Sequence, residues 1–156
     1  MNKNLAISLF FLLGSATLSA QVKLLPIFSD NMVLQQQTQA PIWGESKPNK
    51  KVEITTSWDQ KKYTVQADAR GKWNTKVATP AAGGPYDIII SDGKKVKLSN
   101  VMIGEVWVCS GQSNMELPVS RVTDMFRDEI AAYENTNIRQ LKVPNIFNFH
   151  APQTDL

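Results

Sequence analysis

Residues Met102 to Pro118 have the sequence MIGEVWVCSGQSNMELP, which changes abruptly from apolar to polar. Its first half, Ile103 to Cys109, is apolar and β-branched. Such a composition over a short length predicts a strand buried on both faces, as in a parallel sheet. The second half turns polar over Ser110 to Asn114, and Gly111 lets the chain bend sharply where the strand ends. The stretch therefore predicts a buried strand followed by a serine-bearing turn.

The residues after this turn predict a helix. Apolar side chains recur there at helical spacing and form one stripe: Val122, Phe126, Ile130 and Tyr133. A strand, a glycine turn and a helix raise the turn hydroxyl, here that of Ser113, above the carboxyl edge of a sheet, where open α/β folds bind ligands. On spacing alone a strand-ending loop stays an alternative, because Met115 stands where a G-x-S-x-G motif has its last glycine.

The string from Gly104 to Pro118 as a whole resembles the first block of the SGNH (GDSL-like) hydrolases, in the variant found in sialate O-acetylesterases. The resemblance implies that Ser113 is the nucleophile and that its own backbone N–H is one oxyanion donor. It also implies that Gly111, Gln112 and Asn114 shape the motif. The implied activity is removal of O-acetyl groups from sialic acid or related acetylated glycans through an acyl-enzyme, without a cofactor.

Residues 101–156 are interpreted as the start of the hydrolase domain. Ile138 to Val143 predicts a second strand, so that strand, helix and strand would form one right-handed βαβ unit. The resemblance implies a flavodoxin-like, three-layer α/β domain, whose later blocks supply an oxyanion glycine, an asparagine and a D-x-x-H pair. The sequence contains none of these blocks. We therefore expect a truncated domain and the N-terminal part of a longer enzyme.

His150 is the only histidine of the chain, so it is the only imidazole that could act as a base for Ser113. It follows the second predicted strand and could lie over the same sheet edge as the serine. However, no aspartate stands three residues before it. A loop histidine or a substrate-side contact is the simpler interpretation. One cysteine and one histidine make no metal-ligand cluster, so no metal site is expected.

The first twenty residues have the pattern of a signal peptide. A short basic start with Lys3 precedes an apolar run from Leu5 to Leu13, and a small-residue segment ends at Ala20. The apolar run is too short for a bilayer, which requires about 20 residues. We expect cleavage after Ala20, no membrane anchor, and export to the periplasm or the extracellular space.

Residues 21–100 predict an antiparallel β-sandwich. Five short alternating segments, separated by turns such as Asp92-Gly93, indicate strands with one solvated face. They are Val52–Trp58, Lys61–Ala67, Lys72–Val77, Tyr86–Ser91 and Lys94–Leu98. A further strand is expected over Ala40 to Gly44. The predicted fold is thus a β-sandwich domain followed by the first βαβ unit of an SGNH-type hydrolase domain.

Three tryptophans in the predicted sandwich, Trp43, Trp58 and Trp73, permit two interpretations. Flat indoles stack on sugar rings, so they could form a glycan platform. Tryptophan in a small sandwich more commonly belongs to the core, since burying one ring removes about 150–250 Å² from water. We expect all three to be mainly buried. Cys109, the only cysteine, lies in the predicted strand and is expected to be a buried small hydrophobe.

The charge of the chain excludes one class of partner and leaves two functional hypotheses open. A net charge of +3 is too weak for a nucleic-acid-binding surface. The first hypothesis is an exported carbohydrate esterase acting on O-acetylated sialic acid or another acetylated glycan. The second is a non-catalytic exported β-sandwich, a glycan-binding or accessory module with a truncated hydrolase appendage. The DNA beyond the codon for Leu156 discriminates between them, because an open frame encoding D-x-x-H favours the enzyme.

Overall fold

The computed structural model describes residues 21–144, 150 and 151. The predicted signal peptide therefore lies outside the described residues. The strands are β1 (Val33–Gln35), β2 (Gln39–Glu45), β3 (Lys51–Thr56), β4 (Lys62–Gln66), β5 (Lys72–Ala78), β6 (Gly83–Ser91) and β7 (Lys95–Gly104). Two 3₁₀ turns follow at Ser113–Glu116 and Val119–Val122, and one short helix, α1, spans Arg127–Ala132.

The strands form a five-stranded sheet in the order β1-β7-β6-β3-β4 and a two-stranded sheet of β2 and β5. Neighbouring strands are antiparallel except for β1 and β7. These two run parallel, with Val33 opposite Met102 and Gln35 opposite Gly104. The larger sheet is therefore mixed, and the prediction of a wholly antiparallel arrangement is wrong for this pair. Strand β1 is too short to show an alternating pattern, which is why the sequence did not indicate it.

One apolar core joins the two sheets. Alternate residues of β3 and β6, including Ile54 and Ile90, are fully buried, and so are Ile42 of β2 and Val77 of β5. Burying one such side chain contributes about 1.5–3 kcal/mol. Five of the predicted strands correspond to β3 to β7, and the predicted strand over Ala40 to Gly44 lies within β2. Period-2 alternation located them because one face of each sheet lies on this core.

The last strand extends beyond the predicted boundary at residue 100 and ends at Gly104. Val101 and Ile103 are buried on it. The strand predicted over Ile103 to Cys109 is therefore wrong after Gly104, because residues 105–110 have no regular structure. Trp107 is 82% exposed and Val108 91% exposed. An apolar composition cannot form a strand without neighbouring backbone, and the hydrogen-bonded ladders beside β7 reach only to Gly104.

The βαβ unit predicted for residues 101–156 is not formed within the described residues. Residues 138–143 contain no strand, and Ile138, Leu141 and Val143 are exposed. The predicted helix is reduced to the turn at Val119–Val122 and the six residues of α1. Short helices are marginal unless their apolar face packs against something. No sheet covers this face in the described part of the chain.

Burial was predicted for three tryptophans and the cysteine, and the prediction is correct for only some of them. Trp73 is buried, with 3% exposure. Trp58 is partly buried, and its indole N–H donates to the Ala78 carbonyl at 3.0 Å. Trp43 is 36% exposed, so its expected burial is wrong. Cys109 is exposed rather than buried, because the strand that would have buried it does not form.

Candidate active site

The chain leaves β7 through Glu105. The side chain of Glu105 is hydrogen-bonded to residues at the end of β1. Its Oε1 accepts a hydrogen bond from Gln36 Nε2 at 2.6 Å, and its Oε2 accepts one from Gln35 Nε2 at 3.2 Å. The Oε1 of Gln35 in turn accepts the Val106 backbone N–H at 2.9 Å. These bonds, the Gln36 bond foremost, lower the pKa of Glu105. These bonds thus favour the ionised form of the carboxylate and fix the start of the serine-bearing segment.

Ser113 is the first residue of the 3₁₀ turn Ser113–Glu116 and is exposed. Gln112 before it has an extended backbone. Two backbone bonds close the turn: Met115 N–H donates to the Gln112 carbonyl at 2.9 Å, and Leu117 N–H donates to the Asn114 carbonyl at 3.3 Å. The serine thus lies where extended chain changes to a helical turn. The predicted turn is present, although the predicted strand before it is not.

Gly111 lies against the Met115 side chain in this turn. A Cβ at this position would lie 2.7 Å from Met115 Cγ, so the Met115 side chain or the backbone would have to shift. Gly111, Gln112 and Asn114 are all exposed. The four residues of the motif therefore form one accessible turn, in which the Ser113 hydroxyl can be reached by a ligand.

The Ser113 hydroxyl has no hydrogen-bonded base within residues 21–144, 150 and 151. A serine hydroxyl is a weak nucleophile until an adjacent base takes its proton. His150 is exposed and lies between two stretches, 145–149 and 152–156, that are outside the described residues. Its role as a base or as a substrate contact stays a prediction.

A second anchor ties a later part of the chain to the sheets. The Arg139 guanidinium donates to the Asn100 backbone carbonyl, to Asn100 Oδ1 at 3.0 Å and to the Met32 carbonyl at 3.4 Å. Sequence reasoning missed Arg139 and the Glu105 contacts. Polar residues at both ends of the β1–β7 pair could have indicated these contacts. However, the sequence does not reveal that β1 and β7 pair, so the contacts could not be predicted from it.

Residues 106–143 carry many exposed apolar side chains, which we call the uncovered surface. It comprises Val106, Trp107, Val108, Met115, Leu117, Val119, Met125, Phe126, Tyr133, Ile138, Leu141 and Val143. Apolar exposure on this scale normally marks a surface that packs against another structural element. The candidate site therefore lies on the part of the chain that has the least packing.

Two further features bear on the chemistry. Within the described residues, no three His, Cys, Asp or Glu side chains lie close enough to hold a metal ion. The described part of the chain also contains no helix long and apolar enough to cross a membrane.

Comparison with known proteins relates this chain to acetylesterases. No protein-family model matches it. It is 31% identical to mouse sialate O-acetylesterase over 124 residues, a match that covers 71% of the chain and 23% of the mouse protein. Against human sialate O-acetylesterase the identity is 30% over 122 residues, covering 70% of the chain and 23% of the human protein.

A solved structure agrees with these matches. The crystal structure of a carbohydrate acetylesterase from Xanthomonas citri superposes with a TM-score of 0.64 and 36% sequence identity, covering 72% of this chain and 26% of that protein. The chain thus spans about a quarter of the length of the relatives it matches. The resemblance indicated by the serine-bearing motif is thereby confirmed, and the chain is similar to the sialate O-acetylesterases.

Proposed function

We propose that this chain supplies the nucleophile-bearing part of a carbohydrate O-acetylesterase, with Ser113 as the nucleophile. The observation that carries the proposal is the exposed Ser113 in an accessible turn, within a chain similar to acetylesterases from mammals and a bacterium. The substrate is an O-acetylated sialic acid or a related acetylated glycan. No cofactor takes part in the reaction.

The proposed reaction is acyl transfer in two steps. Ser113 Oγ attacks the acetyl carbonyl carbon while a base removes its proton, and the sugar hydroxyl leaves, which forms an acetyl-serine. Water then hydrolyses this ester and releases acetate. The Ser113 backbone N–H donates to the oxyanion, where each such donor contributes about 10²–10³ in rate.

The described residues supply Ser113 with no base, so the proposal includes a further part of the protein. We propose that an Asp and a His, together with a glycine and an asparagine for the oxyanion hole, come from sequence beyond Leu156. The uncovered surface of residues 106–143 supports this, since a hydrolase body would pack against it. We also propose export, on the basis of the basic start and apolar run of residues 1–20.

The test is to read the DNA beyond the codon for Leu156 and assay the encoded protein on O-acetylated sialic acid. An open frame encoding a D-x-x-H motif, with acetate release that Ser113→Ala abolishes, supports the enzyme. A stop codon at that point, with no esterase activity in the 156-residue chain, overturns it.

One observation favours a second candidate, a non-catalytic module. The two sheets enclose a core of their own in which side chains such as Ile42 and Ile54 are fully buried, whereas the Ser113 segment is exposed. A stop codon after Leu156 would leave only the sheets as a functional unit. Binding without hydrolysis would then be the activity of this protein.

A further inference from the structure

The outward face of the two-stranded sheet carries four side chains in two directly opposed pairs. Trp43 of β2 lies opposite Asn74 of β5, and Glu45 lies opposite Lys72. Directly opposed residues of an antiparallel pair point to the same side of the sheet. All four are exposed, while their neighbours Ile42 and Trp73 are buried in the core. We call these four residues the β2–β5 platform.

The Trp43 ring of this platform is held in place. Its plane meets that of Phe28 at 84°, with the ring centroids 4.6 Å apart, which is a favourable edge-to-face contact. Phe28 is itself buried. The indole is thus oriented before any ligand arrives, although more than a third of its surface faces solvent. An aromatic ring that is both rigid and exposed loses little freedom on binding.

A cleft of about 520 Å³ is lined by the whole platform and extends towards Lys23, Gln66 and Asp68. This volume falls in the range of about 300–1,000 Å³ typical of small-molecule sites. The charged groups in its lining balance, because Lys23 and Lys72 are offset by Glu45 and Asp68. Asp68 stays ionised, since backbone N–H groups of Lys72 and Arg70 lower its pKa. The cleft therefore does not favour an anionic ligand.

The polar head groups of the platform remain available to a ligand. No ion pair joins Glu45 to Lys72 in the described residues, and the Asn74 side-chain amide is not used by the protein within the same part of the chain. These groups are a carboxylate, an ammonium group and an amide, and together they can donate and accept hydrogen bonds around a polyhydroxylated molecule. The C–H face of such a molecule can rest on the flat ring beside them.

From this combination we propose that the β2–β5 platform binds the pyranose ring of an uncharged sugar, with Trp43 stacking on its face and Asn74, Glu45 and Lys72 bonding its hydroxyls. The choice of sugar as the ligand class rests on the proposed glycan esterase, but the binding itself requires no catalysis. The platform would hold a neutral unit of the glycan while the Ser113 turn acts on an acetyl group elsewhere.

The experiment is a calorimetric titration of the 156-residue chain with lactose, N-acetyllactosamine and xylobiose, and with sialyllactose as the anionic comparator. We expect at least one neutral sugar to bind, and Trp43→Ala and Asn74→Ala each to weaken that binding about tenfold or more. Trp107→Ala is the matched control, because it removes an exposed indole outside the cleft. It should leave the affinity unchanged.

Ser113→Ala separates this proposal from the proposed esterase, since it should leave sugar binding intact even if all hydrolysis is lost. Circular dichroism confirms that each variant is folded, and Trp43→Leu, which is apolar but has no ring, replaces Trp43→Ala if the latter does not fold. The proposal is overturned if no neutral sugar binds at about 10 mM, if binding requires the sialic acid carboxylate, or if Trp43 and Asn74 substitutions leave the affinity unchanged.

Discussion

Gln36 and Glu105 join the end of β1 to the chain that leaves β7, through a 2.6 Å hydrogen bond between Gln36 Nε2 and Glu105 Oε1. The Gln36 backbone N–H also donates to the Gly104 carbonyl at 2.8 Å. The contact between β1 and β7 therefore continues past the last residue of each strand, through one backbone and one side-chain hydrogen bond. It is this contact that fixes where the serine-bearing segment begins.

Replacing Gln36 with alanine should raise the pKa of Glu105 towards its ordinary value. The Gln36 bond is the largest cause of the depressed pKa. A carboxylate with a depressed folded-state pKa contributes stability above its unfolded pKa, and loses it as the pH falls through the folded value. This contribution should therefore be complete above the unfolded pKa of about 4.3 and be lost as the pH falls through the lower folded value. It should be smaller in Gln36→Ala, where the Gln35 bond remains.

A carbon-detected NMR titration of the Glu105 carboxyl measures this shift. Gln37→Ala is the matched control. The Gln37 backbone N–H donates to the Pro80 carbonyl, and the substitution keeps this bond. An identical Glu105 titration curve in wild type and Gln36→Ala would show that the hydrogen bond is not formed in solution.

Loss of the Trp73 ring should destabilise the protein strongly. Trp73 is buried in the shared core, and Trp→Ala substitutions in cores cost about 3–5 kcal/mol. Trp107→Ala removes the same ring from an exposed position and should change the free energy of unfolding by less than about 0.5 kcal/mol. Urea denaturation of both variants measures the difference. Equal effects would mean that Trp73 is not part of the core.

Thr79 should be more sensitive to loss of its hydroxyl than an exposed threonine. Its Oγ1 accepts the Thr38 backbone N–H at 3.0 Å and lies 2.8 Å from the Gln35 carbonyl, to which it donates. Thr79→Val leaves these groups without partners, which costs about 1–3 kcal/mol. Thr64→Val, on the exposed side of β4, should be nearly neutral. Thermal unfolding compares the two, and a neutral Thr79→Val would contradict the contact.

Arg139→Ala should release residues 133–143 from the sheets, because Arg139 is hydrogen-bonded to Asn100 and Met32. Hydrogen–deuterium exchange should become faster in this segment and stay unchanged in β3 and β6. Arg121→Ala is the control, since Arg121 makes no side-chain hydrogen bond within the described residues. Unchanged exchange in Arg139→Ala would show that the anchor does not hold the segment.

The sequence predicted a segment correctly where the residues that pack against that segment lie within the described chain. Ile54 and Ile90 lie on alternating strands whose apolar face meets a core within residues 21–104, so their burial was predictable. Trp43 was mispredicted because hydrophobicity does not distinguish the two faces of a short strand. Trp107 and Cys109 were mispredicted because the apolar run after Gly104 has no neighbouring strand in the described chain.

For the candidate site, the motif located the turn but not its surroundings. Ser113, Gly111, Gln112 and Asn114 are contiguous, so a local resemblance could identify them together. Glu105 and Arg139 act through partners that are 39 to 107 residues away in the sequence. Those partners become neighbours only through the β1–β7 pairing, which involves a three-residue strand. Local pattern therefore located the Ser113 turn and missed the residues that anchor its segment.

In the 156-residue chain alone we expect little esterase activity. Ser113 has no base within the described residues, and a serine hydroxyl without a positioned base is a poor nucleophile. Hydrolysis of p-nitrophenyl acetate by the chain and by its Ser113→Ala and His150→Ala variants tests this. Robust turnover that both substitutions abolish would identify His150 as the base and refute the expected need for a further part of the protein.

The nucleophile assignment is tested most directly by acetate release from O-acetylated sialic acid, measured for the protein of the full reading frame and for its Ser113→Ala variant. Loss of a triad member reduces kcat by about 10⁴-fold or more. We predict such a loss with an unchanged melting temperature, because the Ser113 side chain is exposed. Retention of full activity in Ser113→Ala would show that this hydroxyl does not attack the acetyl carbonyl.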